Sequence, residues 1–166
     1  TGGLWDGEVN VNGKFEVKEE EEEQEEYASI EDYSQLSISW AILGDWTAKN
    51  PIPQGEQFET GAQVFIEGLT DLGTGTANKH VTCEIGYYST TNSDPSGTDW
   101  TWQSCHWNGQ WGNNHYYQGK TPEISTAGTY YYTFRFRIDE GTYAYAGTDG
   151  LWNGTSSTYK TFQVTM

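Results

Sequence analysis

The chain has 166 residues, of which 24 are acidic and only eight are Lys or Arg, so its formal charge at pH 7 is −16. Such a surface repels phosphate backbones and anionic lipid, which disfavours binding to nucleic acid or to membrane surfaces. No apolar run approaches the length of a bilayer span, so membrane insertion is not expected either.

Residue usage indicates an all-β domain. Gly, Thr, Ser, Asn, Trp and Tyr are abundant while Leu and Met are scarce, a profile typical of secreted β-rich domains with many turns. The chain is long enough for one domain with a sound core. We therefore expect an extracellular or cell-surface protein.

The first part of the chain, residues 1–35, is predicted to be an N-terminal extension. Residues 9–17 alternate apolar and polar side chains around Asn12-Gly13, the strongest short-range signal for a β-hairpin. Residues 18–26 are almost all glutamate, a run that repels itself and cannot bury apolar surface. We expect a hairpin followed by a solvated acidic segment, and the role of Trp5 is left open.

The second part, residues 36–166, is interpreted as one β-rich domain. Turn-forming residues separate its apolar segments, and no helical period lies between them, which favours a β-sandwich. The predicted strands cover residues 36–42, 63–67, 81–88, 100–106, 116–118, 129–138, 142–146 and 161–164.

The alternation is clearest in residues 129–138. The aromatic side chains that we expect to face the core are Tyr130, Tyr132, Phe134 and Phe136. Gly128-Thr129-Tyr130 has the form of a tyrosine corner at the start of a late sandwich strand. Arg135 and Arg137 face the other way, where they either pair with carboxylates across the sheet or present donors to sugar hydroxyls.

The two cysteines, Cys83 and Cys105, fall in two neighbouring predicted strands. Because such strands often pair, a cross-strand disulfide is expected in an oxidising compartment. The alternative is two buried free thiols.

Four tryptophans lie within residues 100–111. Trp100 and Trp102 share one face of a predicted strand, and Trp107 stands at a strand end. Asn and Gly residues at 108, 109 and 112–114 are turn signals, so Trp111 is predicted on a loop. A large ring at such a place either packs beneath its loop or binds a flat ligand.

Catalysis leaves no recognisable motif. The three histidines lack zinc-ligand spacing and no serine lies in a nucleophile elbow, so we predict no enzyme, no catalytic residue, no metal and no cofactor. Flat aromatic surface together with Asn, Gln, Thr and Ser suits sugars, whose ring C–H faces stack on Trp or Tyr while their hydroxyls need polar partners. Protein recognition through Tyr and Trp is the competing interpretation.

Residues 40–164 resemble the small β-sandwich modules of secreted amylopullulanases and of the starch-adherence proteins in gut bacterial amylosomes. The matching pieces, in chain order, are Trp40-Ala41-x-Leu43, Gly61-x-Gln63-Val64-x-Ile66-x-Gly68, Ile85-Gly86-Tyr87, Trp100-x-Trp102, Trp107-Asn108, Gly112-Asn113-Asn114, Gly128-Thr129-Tyr130-x-Tyr132 with Arg135, Asp149-Gly150 and Asn153-Gly154.

The resemblance implies an immunoglobulin-like antiparallel β-sandwich that binds α-glucans, as one domain of a larger extracellular protein. It assigns to the fold the aromatics that the family pattern shares, which are Trp100, Trp102, Trp107, Tyr117, Tyr130, Tyr132 and Tyr145. Both cysteines stand where the family has small residues, which favours the disulfide.

Aromatics that depart from the family pattern are the sugar-binding candidates. Trp111 and Trp152 are expected to stack on successive glucoses, and amide or guanidinium groups to reach the hydroxyls. The full predicted set is Trp111, Trp152, Trp46, Tyr143, Tyr88, Tyr116, Gln110, Asn113, Asn153 and Arg137.

The predicted function is therefore non-catalytic binding of starch, that is amylose, amylopectin and malto-oligosaccharides, by a monomer. The rival interpretation is a structural spacer or protein-docking sandwich in a multidomain cell-surface protein.

Overall fold

The structure is a computed structural model that describes residues 33–44, 46, 48–73, 77–89, 94–154 and 159–166. The predicted hairpin, the glutamate-rich segment and Trp5 lie outside these residues. Within the described ranges, neither of the two 3₁₀ helices, Thr70–Leu72 and Ala77–Lys79, is long and apolar enough to cross a membrane.

Strands dominate the part of the chain that the structure describes. Their bounds are β1 (Trp40–Leu43), β2 (Ile52–Pro53), β3 (Glu59–Phe65), β4 (Val81–Tyr88), β5 (Thr101–Ser104), β6 (His106–Trp111), β7 (Asn114–Lys120), β8 (Gly128–Ile138), β9 (Ala144–Tyr145) and β10 (Lys160–Thr165).

Two sheets face each other. The smaller sheet has the order β1-β3-β7-β6, and the larger has the order β2-β10-β8-β4-β5, with β9 also paired to β8. All pairs are antiparallel except β2 with β10. In immunoglobulin lettering β1 is A, β2 is A′, β3 is B, β4 is C, β5 is C′, and β6, β7, β8 and β10 are D, E, F and G. The two sheets are then A-B-E-D and A′-G-F-C-C′, which is the strand order of an immunoglobulin-like domain. The predicted all-β, immunoglobulin-like sandwich is therefore confirmed.

The core forms because alternate side chains of β8 turn inward. Tyr132, Phe134 and Phe136 are fully or almost fully buried, as the alternation predicts. The Tyr130 hydroxyl donates a hydrogen bond to the Thr126 carbonyl (3.1 Å), which confirms the tyrosine corner. Each buried ring contributes roughly 1.5–3 kcal/mol through removal from water, so this strand alone anchors much of the sandwich.

The predicted loop around Trp111 is wrong, because Trp111 is the last residue of β6. Asn108-Gly109 is absorbed as a bulge, where the pairing with β7 shifts register between Trp107 and Gly109. The turn itself is only Gly112-Asn113, since Trp111 pairs directly with Asn114. Gly112 has φ 60°, which suits the first position of a two-residue hairpin turn.

The chain passes from the larger sheet to the smaller one at Cys105, between β5 and β6. The Cys105 amide donates to the Cys83 carbonyl (2.9 Å), and the two thiols share a hydrogen bond. Burial, and secondarily the neighbouring Cys105 thiol, raises the pKa of the Cys83 thiol. Both cysteines are free thiols, so the predicted disulfide is not formed in this structure.

The adjacent thiols are nonetheless expected to form the bond under mild oxidation, with loss of two hydrogens. Incubation with oxidised glutathione should protect both cysteines from alkylation after denaturation. It should also raise the free energy of unfolding by about 3 kcal/mol, the usual value for closing a loop of this length. Cys105→Ser is the control, and two alkylated cysteines after oxidation would contradict the expectation.

Candidate functional site

Three aromatic side chains, Trp46, Trp111 and Tyr116, form a group on the outer face of the smaller sheet, which we call the aromatic platform. Trp46 and Trp111 are 47% and 65% exposed. The Trp46 ring centroid lies 6.4 Å from that of Trp111 at 51° and 5.7 Å from that of Tyr116 at 72°. The platform thus offers two tilted, solvent-facing indoles with a tyrosine beside them.

Two glycines give the platform its room. A Cβ built on Gly61 would overlap the Tyr116 ring, and one built on Gly44 would overlap the Trp46 ring. The Tyr116 ring therefore rests on the backbone of β3, and the Trp46 ring rests on the backbone at Gly44, directly after β1. Any larger residue at position 44 or 61 would push the corresponding ring away from the face.

Amide side chains lie beside the platform in two hydrogen-bonded pairs. Asn114 Nδ2 donates to Gln63 Oε1 (3.0 Å), and Asn108 Nδ2 donates to Gln118 Oε1 (2.9 Å). Gln63 is the cross-strand partner of Tyr116, and Asn114 and Gln118 stand two residues to either side of Tyr116 on β7. Each pair keeps further amide groups that can meet hydroxyls of a ligand.

Sequence reasoning missed these four amide residues. The signal was present, because Asn114, Tyr116 and Gln118 alternate along β7 and must share a face. The predicted strand covered only residues 116–118, which hid that pattern.

Gln110 and Asn113, predicted to bind sugar, lie at the hairpin turn next to Trp111. Gln110 Nε2 donates to the carbonyls of Thr70 (3.1 Å) and Gly112 (2.9 Å), so its donors hold the turn in place. Asn113 is exposed in the turn itself. Gln110 therefore positions the end of β6, while Asn113 is open to a ligand.

The other predicted sugar residues belong to the larger sheet or its loops. Tyr88 contacts Trp100, and Trp152 contacts Tyr145. Hence Trp111 and Trp152, expected to stack on successive glucoses, join different aromatic groups. Asn153 follows Trp152 and is exposed.

The two arginines of β8 pair with carboxylates, which is one of the two alternatives that the sequence leaves open. Arg135 Nε bonds Glu84 Oε2 across the sheet (2.6 Å), and Arg137 Nη1 bonds Glu140 Oε2 (3.2 Å). Arg137 also lies 5.0 Å from the Tyr143 ring centroid. For both arginines, the hydrogen-bond partner is thus a carboxylate.

A groove of about 840 Å³ runs between residues 33–38 and the turn from Ile138 to Ala144. Of the predicted sugar residues it contains only Tyr143.

The platform is an open face rather than a cavity, which suits lateral contact with a polymer. Within the described ranges, no three His, Cys, Asp or Glu side chains could jointly hold a metal ion.

His115 lies buried on β7, between the rings of Trp107 and Tyr117. Among the described residues neither ring nitrogen has a hydrogen-bond partner. Burial lowers the pKa of His115 below its ordinary value of 6.5, because the charged form would lose its hydration. The imidazole beneath the site is therefore neutral at pH 7.

This burial predicts a pH-dependent stability. Above pH 6.5 the full contribution of neutral His115 is present. Below it the unfolded chain takes up the proton more readily, so stability falls as the pH falls. The free energy of unfolding, measured with urea, should fall less between pH 7.5 and pH 5.5 in His115→Phe than in the parent. An equal fall in the two proteins would contradict the expectation.

Comparison of the chain with protein-family models finds no matching family, and comparison with curated proteins finds no match.

Proposed function

We propose that this chain is a non-catalytic carbohydrate-binding module that binds starch-type α-1,4-glucans on the aromatic platform. The observation that carries the proposal is the pair of highly exposed indoles, Trp46 and Trp111, on one sheet face beside Tyr116 and two amide pairs. Exposed rings gain burial only when a ligand covers them, and sugar C–H faces provide such a cover.

The tilt of the rings supports a curved glucan over a flat one. Trp46 and Trp111 meet at 51°, whereas a straight, ribbon-like chain such as cellulose favours coplanar rings. An α-1,4-linked chain turns from one glucose to the next, so consecutive sugars present faces at an angle. The resemblance to amylosome and amylopullulanase modules points to the same substrate class.

The surroundings fit a neutral polysaccharide. The net charge of −16 is no obstacle to an uncharged ligand, and amide groups can donate to and accept from its hydroxyls. With two or three rings and few buried polar contacts, micromolar affinity is the expected order of magnitude. The proposal includes an extracellular, monomeric module within a larger cell-surface protein.

A pull-down tests the function directly. The protein is incubated with insoluble starch and, in parallel, with cellulose and xylan, and is then titrated with maltoheptaose while tryptophan fluorescence is recorded. Retention on starch with a saturable fluorescence change supports the proposal. Retention on none of the polymers would reject it and favour the spacer or protein-docking interpretation, and release of reducing ends from starch would reject the non-catalytic assignment.

A further inference from the structure

A second aromatic surface covers the outer face of the larger sheet. Its rings form an unbroken series in which successive centroids lie 6.1, 6.0, 6.1 and 5.8 Å apart. In order along the series they are Tyr88, Trp100, Trp102, Tyr145 and Trp152. Trp100 is buried at 5% exposure, while the other four are half-buried and keep part of their surface in solvent.

The centre of this surface is a clamped arginine. The Arg135 guanidinium lies 4.0 Å from the Trp102 ring centroid and 3.9 Å from that of Tyr143. Its Nε is held by Glu84, which also accepts a hydrogen bond from the Tyr143 hydroxyl. Two flat rings and one carboxylate therefore fix the guanidinium in a single orientation.

The contacts that hold Arg135 leave some of its N–H donors unused. Within the described part of the chain, the side chain of Arg135 is hydrogen-bonded to Glu84 through Nε, and that side chain is 19% exposed. This bond does not use the donors on its two terminal nitrogens. A rigid, planar fork of N–H donors beside half-exposed rings is suited to a pair of neighbouring sugar hydroxyls.

Packing of the fold accounts for only part of this aromatic surface. Gly86 leaves room for Trp102 to rest on the sheet, since a Cβ there would lie 2.6 Å from the ring. Trp100 and Trp102 then cover the sheet. Trp152 extends the series beyond this cover, at 87° to Tyr145, and adds aromatic surface at its end.

We propose that this face is a second glucan-binding site, so that the module is bivalent; the proposal rests on the function proposed above. Arg135 and Glu84 contact the hydroxyls, and Trp102 and Trp152 contact the sugar rings. The platform and this face lie on the outer sides of two packed sheets, so a short oligosaccharide cannot reach both. Two chains or two distant segments of one polymer bind at once, which raises avidity for a starch granule without raising affinity for a short sugar.

The test counts sites. Maltoheptaose is titrated by calorimetry into the parent, Trp111→Ala, Trp152→Ala and the double variant. We expect two sites of micromolar affinity in the parent, one in each single variant and none in the double variant, because each substitution moves its own site out of the micromolar range. In a parallel nuclear magnetic resonance titration of ¹⁵N-labelled Trp111→Ala, which needs no change on the second face, the indole N–H signals of Trp102 and Trp152 should shift and saturate.

The outcomes separate the two proposals. One site in the parent and none in Trp111→Ala would overturn the second site and leave the platform intact. No binding by the parent would overturn the proposed function and this inference with it. If Trp152→Ala fails to fold, the titration of Trp111→Ala decides, and unchanged Trp102 and Trp152 signals overturn the inference.

Discussion

Replacing Trp111 with alanine is expected to weaken glucan binding at the aromatic platform by roughly 30-fold, about 2 kcal/mol, as for other tryptophans at the centre of an interface. The same change should alter the free energy of unfolding by no more than about 0.5 kcal/mol. Trp111 is 65% exposed, so folding buries little of it and a ligand buries much more. The Trp46 indole signal reports platform binding, and urea unfolding reports stability.

Trp107→Ala is the matched control for this prediction. Trp107 stands on the same strand, is 37% exposed, and its ring lies 5.9 Å from buried His115 on the core side of the sheet. Its removal should lower stability by about 1–3 kcal/mol and leave platform affinity unchanged. Strong destabilisation by Trp111→Ala with unchanged binding would instead identify Trp111 as a packing residue and support the spacer interpretation.

Much of the fold could be predicted because it depends on local alternation. In β8 every second side chain from Tyr130 to Phe136 is aromatic, and a strand with that pattern has only one way to face a core. β4 was predicted with its observed bounds, Val81–Tyr88. The short strand β2 (Ile52–Pro53) was missed, because two residues carry no periodicity and pair only through the distant β10.

Turns were harder to predict because Asn-Gly has two structural uses. At positions 108 and 109 the pair forms a bulge within a continuing strand, whereas the real turn is at Gly112-Asn113. Whether a strand resumes after such a pair depends on the strand it meets, here β7. That partner is set by tertiary pairing and not by the local sequence.

The candidate site was only half predictable for a similar reason. Composition indicates that aromatics and amides suit sugars, and the resemblance to starch-binding modules selects Trp46, Trp111 and Tyr116 among the aromatics. Composition does not indicate which of two sheets carries a given ring, so Trp152 was grouped with Trp111 although it contacts Tyr145. Strand order assigns each ring to a sheet, and it depends on pairing between distant segments, so no single segment of the sequence predicts it.

Gly61→Ala is expected to weaken platform binding by roughly tenfold, about 1.4 kcal/mol, although residue 61 has no side chain to offer a ligand. The new methyl group would overlap the Tyr116 ring, which lies over Gly61. Because the ring is the far end of its side chain, it can swing aside, but its buried hydroxyl must leave its place, so the free energy of unfolding should fall by about 1–3 kcal/mol. Trp46 would then lose the ring against which it packs.

A double-mutant cycle tests whether the effect acts through the tyrosine. If Gly61 serves only to seat Tyr116, Gly61→Ala should add nothing once Tyr116→Ala has removed the ring, so the double variant should bind as Tyr116→Ala does. Additive losses would mean that the methyl group blocks the ligand directly or distorts β3. Since Tyr116 is the cross-strand neighbour of Gln63, a displaced ring should also shift the side-chain amide signals of Gln63 and Asn114 in the absence of sugar. A glycine in the sheet would in that case be as necessary to the platform as the tryptophans that a ligand contacts.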